Sequence, residues 1–524
     1  MTDYVIAGSG INALVAASLL TLKGRKVLVL ERNAMIGGCI RSEAATLPGF
    51  THDVMAATFV LFLLSPAYAA LGPELEKRGL AFARPEIPTG VLRPDGSSLV
   101  FRMDRKANIA AFEALAAGDG QQYAADMEKL GANAPFLFAL LGGRLWSWDM
   151  AKVVAREAWR RGPVGLSSFF GEALIPARHW LQPHYQSDLF HALMAPWVLH
   201  TGLGPESTYS GQMAKVIAFA LEAAGAPIVK GGAANILTAF ERLIRDHGGD
   251  IRTGADVAEV TIDEAGRATG VVLASGERIN AAQGVICSMT PHQLYGRLLK
   301  NWPGAGPMRR EAKGFVHGKG NMQIHYALKA APQWVNPDLG KVALLHLTPG
   351  LDGVSRAVNE AERGMLPVEP TVCVGQPTAF DPSRAPDGTA ILWLQLPEAP
   401  RVIKGDAAGE LATPADGRWT EALREAYADR IEALLCRHIP DFKSLVLARR
   451  CYSPADLEAM NINLVGGDPY GGACSIDQFF LWRPLRGTKN HATPVKQLYH
   501  IGASTHPGPG LGGGSGFLLA NGLA

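Results

Sequence analysis

The sequence predicts an α/β fold: a parallel sheet covered by helices, a second mixed sheet, and a block of helices set between them. Three observations carry this. Short apolar runs end in glycine turns that open helices at both ends of the chain, as βαβ units require. Residues 105–224 read almost entirely as helix. Residues 315–400 alternate in strand fashion, as in "MQIHYAL" and "TAILWLQLP".

The first unit is the most informative. Val5-Ile6-Ala7 reads as a buried parallel strand, and Gly8-Ser9-Gly10-Ile11-Asn12-Ala13 opens a helix through Leu20. Gly24 ends that helix, and Lys26–Leu30 forms a second buried strand that stops on Glu31. Gly8 permits the tight turn, Gly10 lets backbone approach a pyrophosphate, and Ala13 is small enough for close helix–strand packing. The helix N-terminus offers free N–H groups to the phosphates. Glu31, 21 residues after Gly10, can accept hydrogen bonds from a ribose. The alternative is an ordinary βαβ unit with a glycine turn. The second strand, the helix stop and the acid together favour a Rossmann-type dinucleotide site.

Arg32, Gly37-Gly38 and Arg41 follow the acid. A nicotinamide nucleotide does not need this second glycine turn. The pattern resembles the flavoprotein family that includes amine oxidases and phytoene desaturases, where that turn lies along bound FAD. Within it, "GSGINALVAASLL" is similar to the opening of bacterial phytoene desaturases, carotenoid isomerases and the pyridine nucleotide-disulphide oxidoreductase domain proteins. Asn12 and Leu14–Ala17 match that subgroup, whereas Ala13 stands where glycine is more usual.

The resemblance implies FAD as cofactor. It assigns cofactor contacts to Gly8, Gly10, Ile11, Asn12, Ala13, Glu31, Arg32, Gly37, Gly38 and Arg41. It adds the backbone of Val257 on the adenine, and Gly502, Ala503 and Gly513 near the flavin. It also implies a division of the chain. An FAD-binding domain spans 1–104, a helical cap 105–224, a second FAD-binding part 225–300, a mixed-sheet substrate domain 301–485 and a last FAD motif 486–524.

That last motif is "QLYHIGASTHPGPGLGGGSGFLLANGLA". Leu498–Ile501 reads as a strand, Gly502-Ala503 as its turn, and a helix starts around Gly513–Ser515. In the resembling family such a helix faces the flavin pyrimidine, where its N-terminus stabilises negative charge on the reduced ring. A floppy glycine tail is the competing reading.

Composition excludes several classes. The net charge of +2 over 524 residues leaves no basic footprint for nucleic acid. No run of 18 apolar residues would span a membrane. The first strand begins about three residues in, so no signal peptide is expected. Six cysteines (39, 287, 373, 436, 451, 474) form no Cys-x-x-Cys. That points to no metal site and to a reducing, cytoplasmic compartment. The cap histidines His179, His184, His191 and His200 do not repeat on one helix face as a metal pair would. No G-x-S-x-G or Walker A motif supports hydrolase or kinase chemistry.

His506 is the one histidine in the last motif beside the expected flavin. Two roles are open to it: catalytic proton shuttle, or turn residue bonded to backbone. Asp477 and Arg483 read as a structural ion pair. "APFLFALLGGRLW" (Ala134–Trp146) is either cap core or a surface for peripheral membrane contact. The expected activity is dehydrogenation of a C–C bond in an apolar or cyclic substrate, with oxygen or a quinone as electron acceptor. The alternatives are a flavin amine oxidase and a flavin-dependent double-bond isomerase. Ala503-Ser504-Thr505-His506 supplies no acid after the glycine turn, which disfavours the amine oxidase.

Overall fold

The structure, a computed structural model, describes residues 2–523. Five parallel strands from four parts of the chain form one sheet in the order Leu498–Ile501, Gly284–Ser288, Tyr4–Ala7, Val27–Leu30 and Asp250–Arg252. Both faces are covered at the centre of the sheet, which is why Tyr4–Ala7 and Val27–Leu30 are continuous apolar runs. Tyr4 and Ile6 pack among the helices Ile11–Leu22, Ala234–Asp246 and Gly514–Gly522. Val5 and Ala7 face a three-stranded antiparallel layer, Val257–Ile262, Ala268–Leu273 and Arg278–Asn280. The helix Ile11–Leu22 is apolar all round and buried from Ile11 to Thr21, as a helix held between sheet and helices must be.

A second sheet has seven strands of mixed direction: Val446–Tyr452, Gly320–Leu328, Ala390–Ala399, Val372–Gly375, Val342–Leu347, Ile87–Leu92 and Ser98–Phe101. Ile324, Tyr326, Leu392 and Leu394 pack on the helix Glu421–Cys436. The opposite face, with Leu344, Cys373 and Trp393, meets the helical residues 105–224. Those comprise helices Arg105–Leu115, Asp119–Gly142, Trp148–Ala173, Ala177–His184, Asp188–Met194 and Ser210–Ala224, with a 3-10 turn at Ala195–Thr201. No helix among the described residues is long and apolar enough to cross a membrane.

One polar cluster ties the connection between strands Val372–Gly375 and Ala390–Ala399 to the short strands His52–Asp53 and Ile228–Val229. Arg384, 1% exposed, donates from Nη1 to Asp53 (2.6 Å), from Nε to Asp381 (3.0 Å) and from Nη2 to the Val229 carbonyl (2.5 Å). The second Asp53 oxygen accepts from Ser42 Oγ at 2.6 Å and Ala233 N at 2.7 Å. Asp381 also accepts from Gly231 N at 2.7 Å. Arg384→Met would strand two buried carboxylates, and breaking a buried pair in this way costs about 3–5 kcal/mol. A urea unfolding series should show the midpoint falling accordingly. An unchanged midpoint would mean that the cluster contributes nothing to holding these segments.

Candidate functional site

The glycine turn sits at the carboxyl end of the central strand, where ligands bind in open α/β sheets. Gly8 has φ +92°, and a Cβ there would lie 2.8 Å from the Ser288 carbonyl oxygen. Gly10 is different: a Cβ would meet no protein atom within 4 Å. The space above Gly10 is open, as an approaching phosphate requires. Gly10 precedes a helix with no side-chain cap and no acid in its first turn, so its N-terminal donors stay free for an anion.

The second glycine turn folds onto the first. Gly37 N donates to Ser9 Oγ (3.0 Å), and a Cβ on Gly38 would lie 3.2 Å from Gly10 Cα. Ser9 also holds the acid. Its N–H and Oγ both reach Glu31 Oε2, at 3.1 and 2.6 Å, while Asn33 N reaches Oε1 at 2.9 Å. A carboxylate offers about four acceptor sites. These three bonds leave one on Oε1 for a ribose hydroxyl.

The C-terminal motif joins this cradle through Asn12. Its Oδ1 accepts from Ser515 N (3.1 Å), Ser515 Oγ (2.8 Å) and Gly516 N (3.4 Å). Gly502 N in turn donates to Ser515 Oγ at 2.9 Å. A Cβ on Gly516 would stand 1.9 Å from the Asn12 carbonyl oxygen, so the two helices cross in contact there. Asn12 therefore takes two of the N–H groups that open the last helix. This narrows the expectation that the whole helix N-terminus faces a flavin. Gly513 (φ +68°) caps that helix against Val15.

Other expected residues lie outside the cradle or act differently. Ile11 and Ala13 are buried in the helix core. Arg32 is exposed, and Arg41 pairs with Glu43 at 2.7 Å. Val257 is buried in the antiparallel layer, which is tied to the acid strand by Ala255 N donating to the Glu31 carbonyl (2.8 Å). Asp477 and Arg483 form no ion pair. Arg483, 3% exposed, instead donates to the carbonyls of Ala503 (2.9 and 3.1 Å), Tyr470 (2.7 Å) and Ala473 (3.1 Å). Three carbonyls satisfy its fork, and they pin the turn at Ala503 to the segment 470–473. Asp468 orders that segment by accepting from the N–H groups of Gly318, Tyr470 and Gly472, each at 2.8 Å.

His506 Nε2 is 2.9 Å from the Gly143 carbonyl, so it carries the proton and donates it. Nδ1 is then a bare acceptor, buried and without a partner among the described residues. Burial pushes the imidazole down to about 4, leaving it neutral near pH 7. The same holds for His491, which donates to the His506 carbonyl at 2.9 Å and is also held at about 4 by burial.

Residues 6–69 match the NAD(P)-binding Rossmann-like domain family. Full-length relatives extend the likeness. The chain is 26% identical to pyridine nucleotide-disulfide oxidoreductase domain-containing protein 2 of Rattus norvegicus, covering 98% of this chain and 92% of that one. It is 25% identical to a neurosporene-forming phytoene desaturase of Cereibacter sphaeroides (98% and 93% covered). It is 23% identical to a limonene dehydrogenase polypeptide of Castellaniella defragrans (100% and 94%). The chain is an oxidoreductase, similar over its whole length to proteins that include phytoene desaturases. Its fold is also that of an oxidoreductase from Methanosarcina mazei (TM-score 0.63, 16% identity, 99% of each chain) and of a putrescine oxidase (0.61, 16%, 99% and 98%).

In this oxidoreductase the cradle fits a flavin or nucleotide cofactor, since the open space at Gly10 and the uncapped helix suit a phosphate. The sequence assigns no role to Ser9 or Ser515 and gives Arg483 a different partner, Asp477. Ser9 lies inside the glycine turn itself and was the one that could have been found. Gly10→Val should abolish cofactor binding while leaving the melting temperature of the cofactor-free protein nearly unchanged, because its Cβ meets no protein. Gly516→Ala should lower that melting temperature, because it strikes Asn12. Cofactor content by absorbance and thermal melts separate the two. Full cofactor occupancy in Gly10→Val would displace the site.

Proposed function

We propose that this chain is an FAD-dependent oxidoreductase that desaturates a C–C bond of an apolar or cyclic substrate. The observation that carries the proposal is the Asn12–Ser515–Gly502 link, which joins the dinucleotide turn to the C-terminal glycine turn in one cradle. A cofactor reaching from Glu31 toward Gly502 is longer than a mononucleotide, and FAD has that length together with a redox ring. When bound, FAD supplies the acceptor for a hydride at its N5. Gly8, Gly10 and Gly38 admit the pyrophosphate, and Glu31 holds the ribose. Ala503 and Gly502, held by Arg483 and Ser515, support the ring end. Arg32, Arg41 and Val257 belong to the same proposal as outer contacts.

His506 completes the reaction in this reading. Its bare Nδ1 takes the proton that leaves with the hydride, and its Nε2–H stays on Gly143 to fix the tautomer. The cap excludes water over the apolar face of the seven-stranded sheet, where Leu344, Phe380 and Trp393 line a small gap. Relatives named for phytoene and limonene support an apolar or cyclic carbon skeleton. The division into three FAD-binding parts, a helical cap and a substrate domain belongs to the same proposal, and oxygen or a quinone would take the electrons. Within 134–146, Phe136 and Leu137 are buried. Phe138 and Trp146 in the same stretch are exposed, and with Trp148 and Trp159 they would serve any membrane delivery of substrate.

An apolar or cyclic alkene or alkane should bleach the flavin anaerobically, and His506→Ala should slow bleaching by about 10²–10⁴-fold with FAD still bound. Bleaching by alkyl amines alone would move the chain to the amine oxidases. Product with no net bleaching would make it a double-bond isomerase. The pH profile is a separate test. A base depressed to about 4 is already deprotonated at pH 6–8. The bleaching rate should therefore be flat over that range and fall as pH drops toward 4. An inflection at the ordinary histidine value of about 6.5 would remove His506 from the step.

A further inference from the structure

We propose that His200, His346 and Cys373 bind one thiophilic transition-metal ion, zinc or copper, between the cap and the seven-stranded sheet. His346 and Cys373 face each other across adjacent antiparallel strands, in direct register. Such cross-strand partners bring their Cβ atoms to about 4.5–5.5 Å. His200 comes from the cap, at the end of the 3-10 turn Ala195–Thr201. Its Nε2 lies 2.9 Å from His346 Nε2, and the three ligand atoms lie within 4.8 Å of one another. His346 and Cys373 are buried.

Two bare imidazole nitrogens at this distance repel unless a proton or a cation lies between them. A proton on one nitrogen makes the ring contact an N–H···N hydrogen bond but gives no role to Cys373 Sγ, which lies within 4.8 Å of both rings' ligand atoms. A cation answers the whole set. Zinc sits about 2.0–2.1 Å from histidine nitrogen and about 2.3 Å from cysteine sulfur. Tetrahedral ligation would separate the nitrogens by roughly 3.3–3.4 Å, a few tenths wider than observed. Two imidazoles and one thiolate form a borderline-to-soft donor set that suits zinc and copper over magnesium or calcium. Binding releases the thiol proton to solvent, and no electron moves.

A second observation points the same way. The indole nitrogen of Trp197 is buried and has no hydrogen-bond partner among the described residues. Its ring lies 4.6 Å from that of His200 and 5.0 Å from that of His346. Three protein ligands leave a fourth position for water. Oxygen there would give the Trp197 N–H its acceptor. His346 Nδ1 has no partner in either state and does not discriminate. The site departs from the expectation of no metal, because its ligands stand 146 and 27 positions apart on three elements. It does not rest on the FAD reading, since none of its three residues belongs to the cofactor cradle.

The test uses the flavin-containing full chain. After purification without chelator, zinc and copper are counted per chain, and the stripped protein is titrated with Zn²⁺, Cu⁺ and Co²⁺. One ion per chain is expected, with a thiolate-to-cobalt charge-transfer band in the Co²⁺ form. Cys373→Ser and His200→Gln should each lose the ion and the band, with flavin content unchanged. Less than about a tenth of an ion per chain after titration would overturn the proposal. Wild-type stoichiometry in Cys373→Ser would overturn it too. If either variant fails to fold, the cobalt spectrum of the wild type decides alone: no charge-transfer band means no thiolate ligand.

Discussion

A buried guanidinium must have its charge and its donors answered, and Arg384 answers them with groups from two distant segments and one from its own loop. Asp53 comes from the chain after the second glycine turn, the Val229 carbonyl from the run into helix Ala234–Asp246, and Asp381 from the connection between strands Val372–Gly375 and Ala390–Ala399. The two carboxylates accept further bonds, Asp53 from Ser42 and Ala233 and Asp381 from Gly231. Removing any one of them exposes an unpaired charge to a medium that cannot solvate it. The short strands His52–Asp53 and Ile228–Val229 are therefore held against the connection that leads into strand Ala390–Ala399.

The cofactor cradle is built by the same logic at closer range. Residues 503 positions apart meet at Asn12 and Ser515, and Gly516 lets their helices touch. Arg483 fastens the turn at Ala503, and Asp468 orders the segment that Arg483 grips. Each of these side chains acts by fixing backbone of the candidate cradle.

Polar chemistry around the last turn is muted by burial. His491, His500 and His506 each bond a backbone carbonyl through Nε2, and burial lowers all three to about 4. Neutral imidazoles in such a setting accept or relay protons and do not supply fixed positive charge. That leaves redox work to a bound group and proton handling to the protein.

The sequence by itself determined the parallel unit, the two glycine turns, the C-terminal strand and helix, and the glycine and acid types a dinucleotide requires. These are local signals: a turn that only glycine can make, an apolar run short enough for a strand, an acid at a fixed offset. Tertiary structure alone decided which residues hold the turns in place. Ser9 on Glu31, Asn12 on Ser515 and Arg483 on Ala503 are side-chain to backbone or long-range bonds, and nothing in their spacing announces them. It also replaced the expected Asp477–Arg483 pair, because three carbonyls lay closer to the guanidinium than the carboxylate did. His200, His346 and Cys373 show the same limit, since a ligand set drawn from one turn and two strands exists only once the chain has folded.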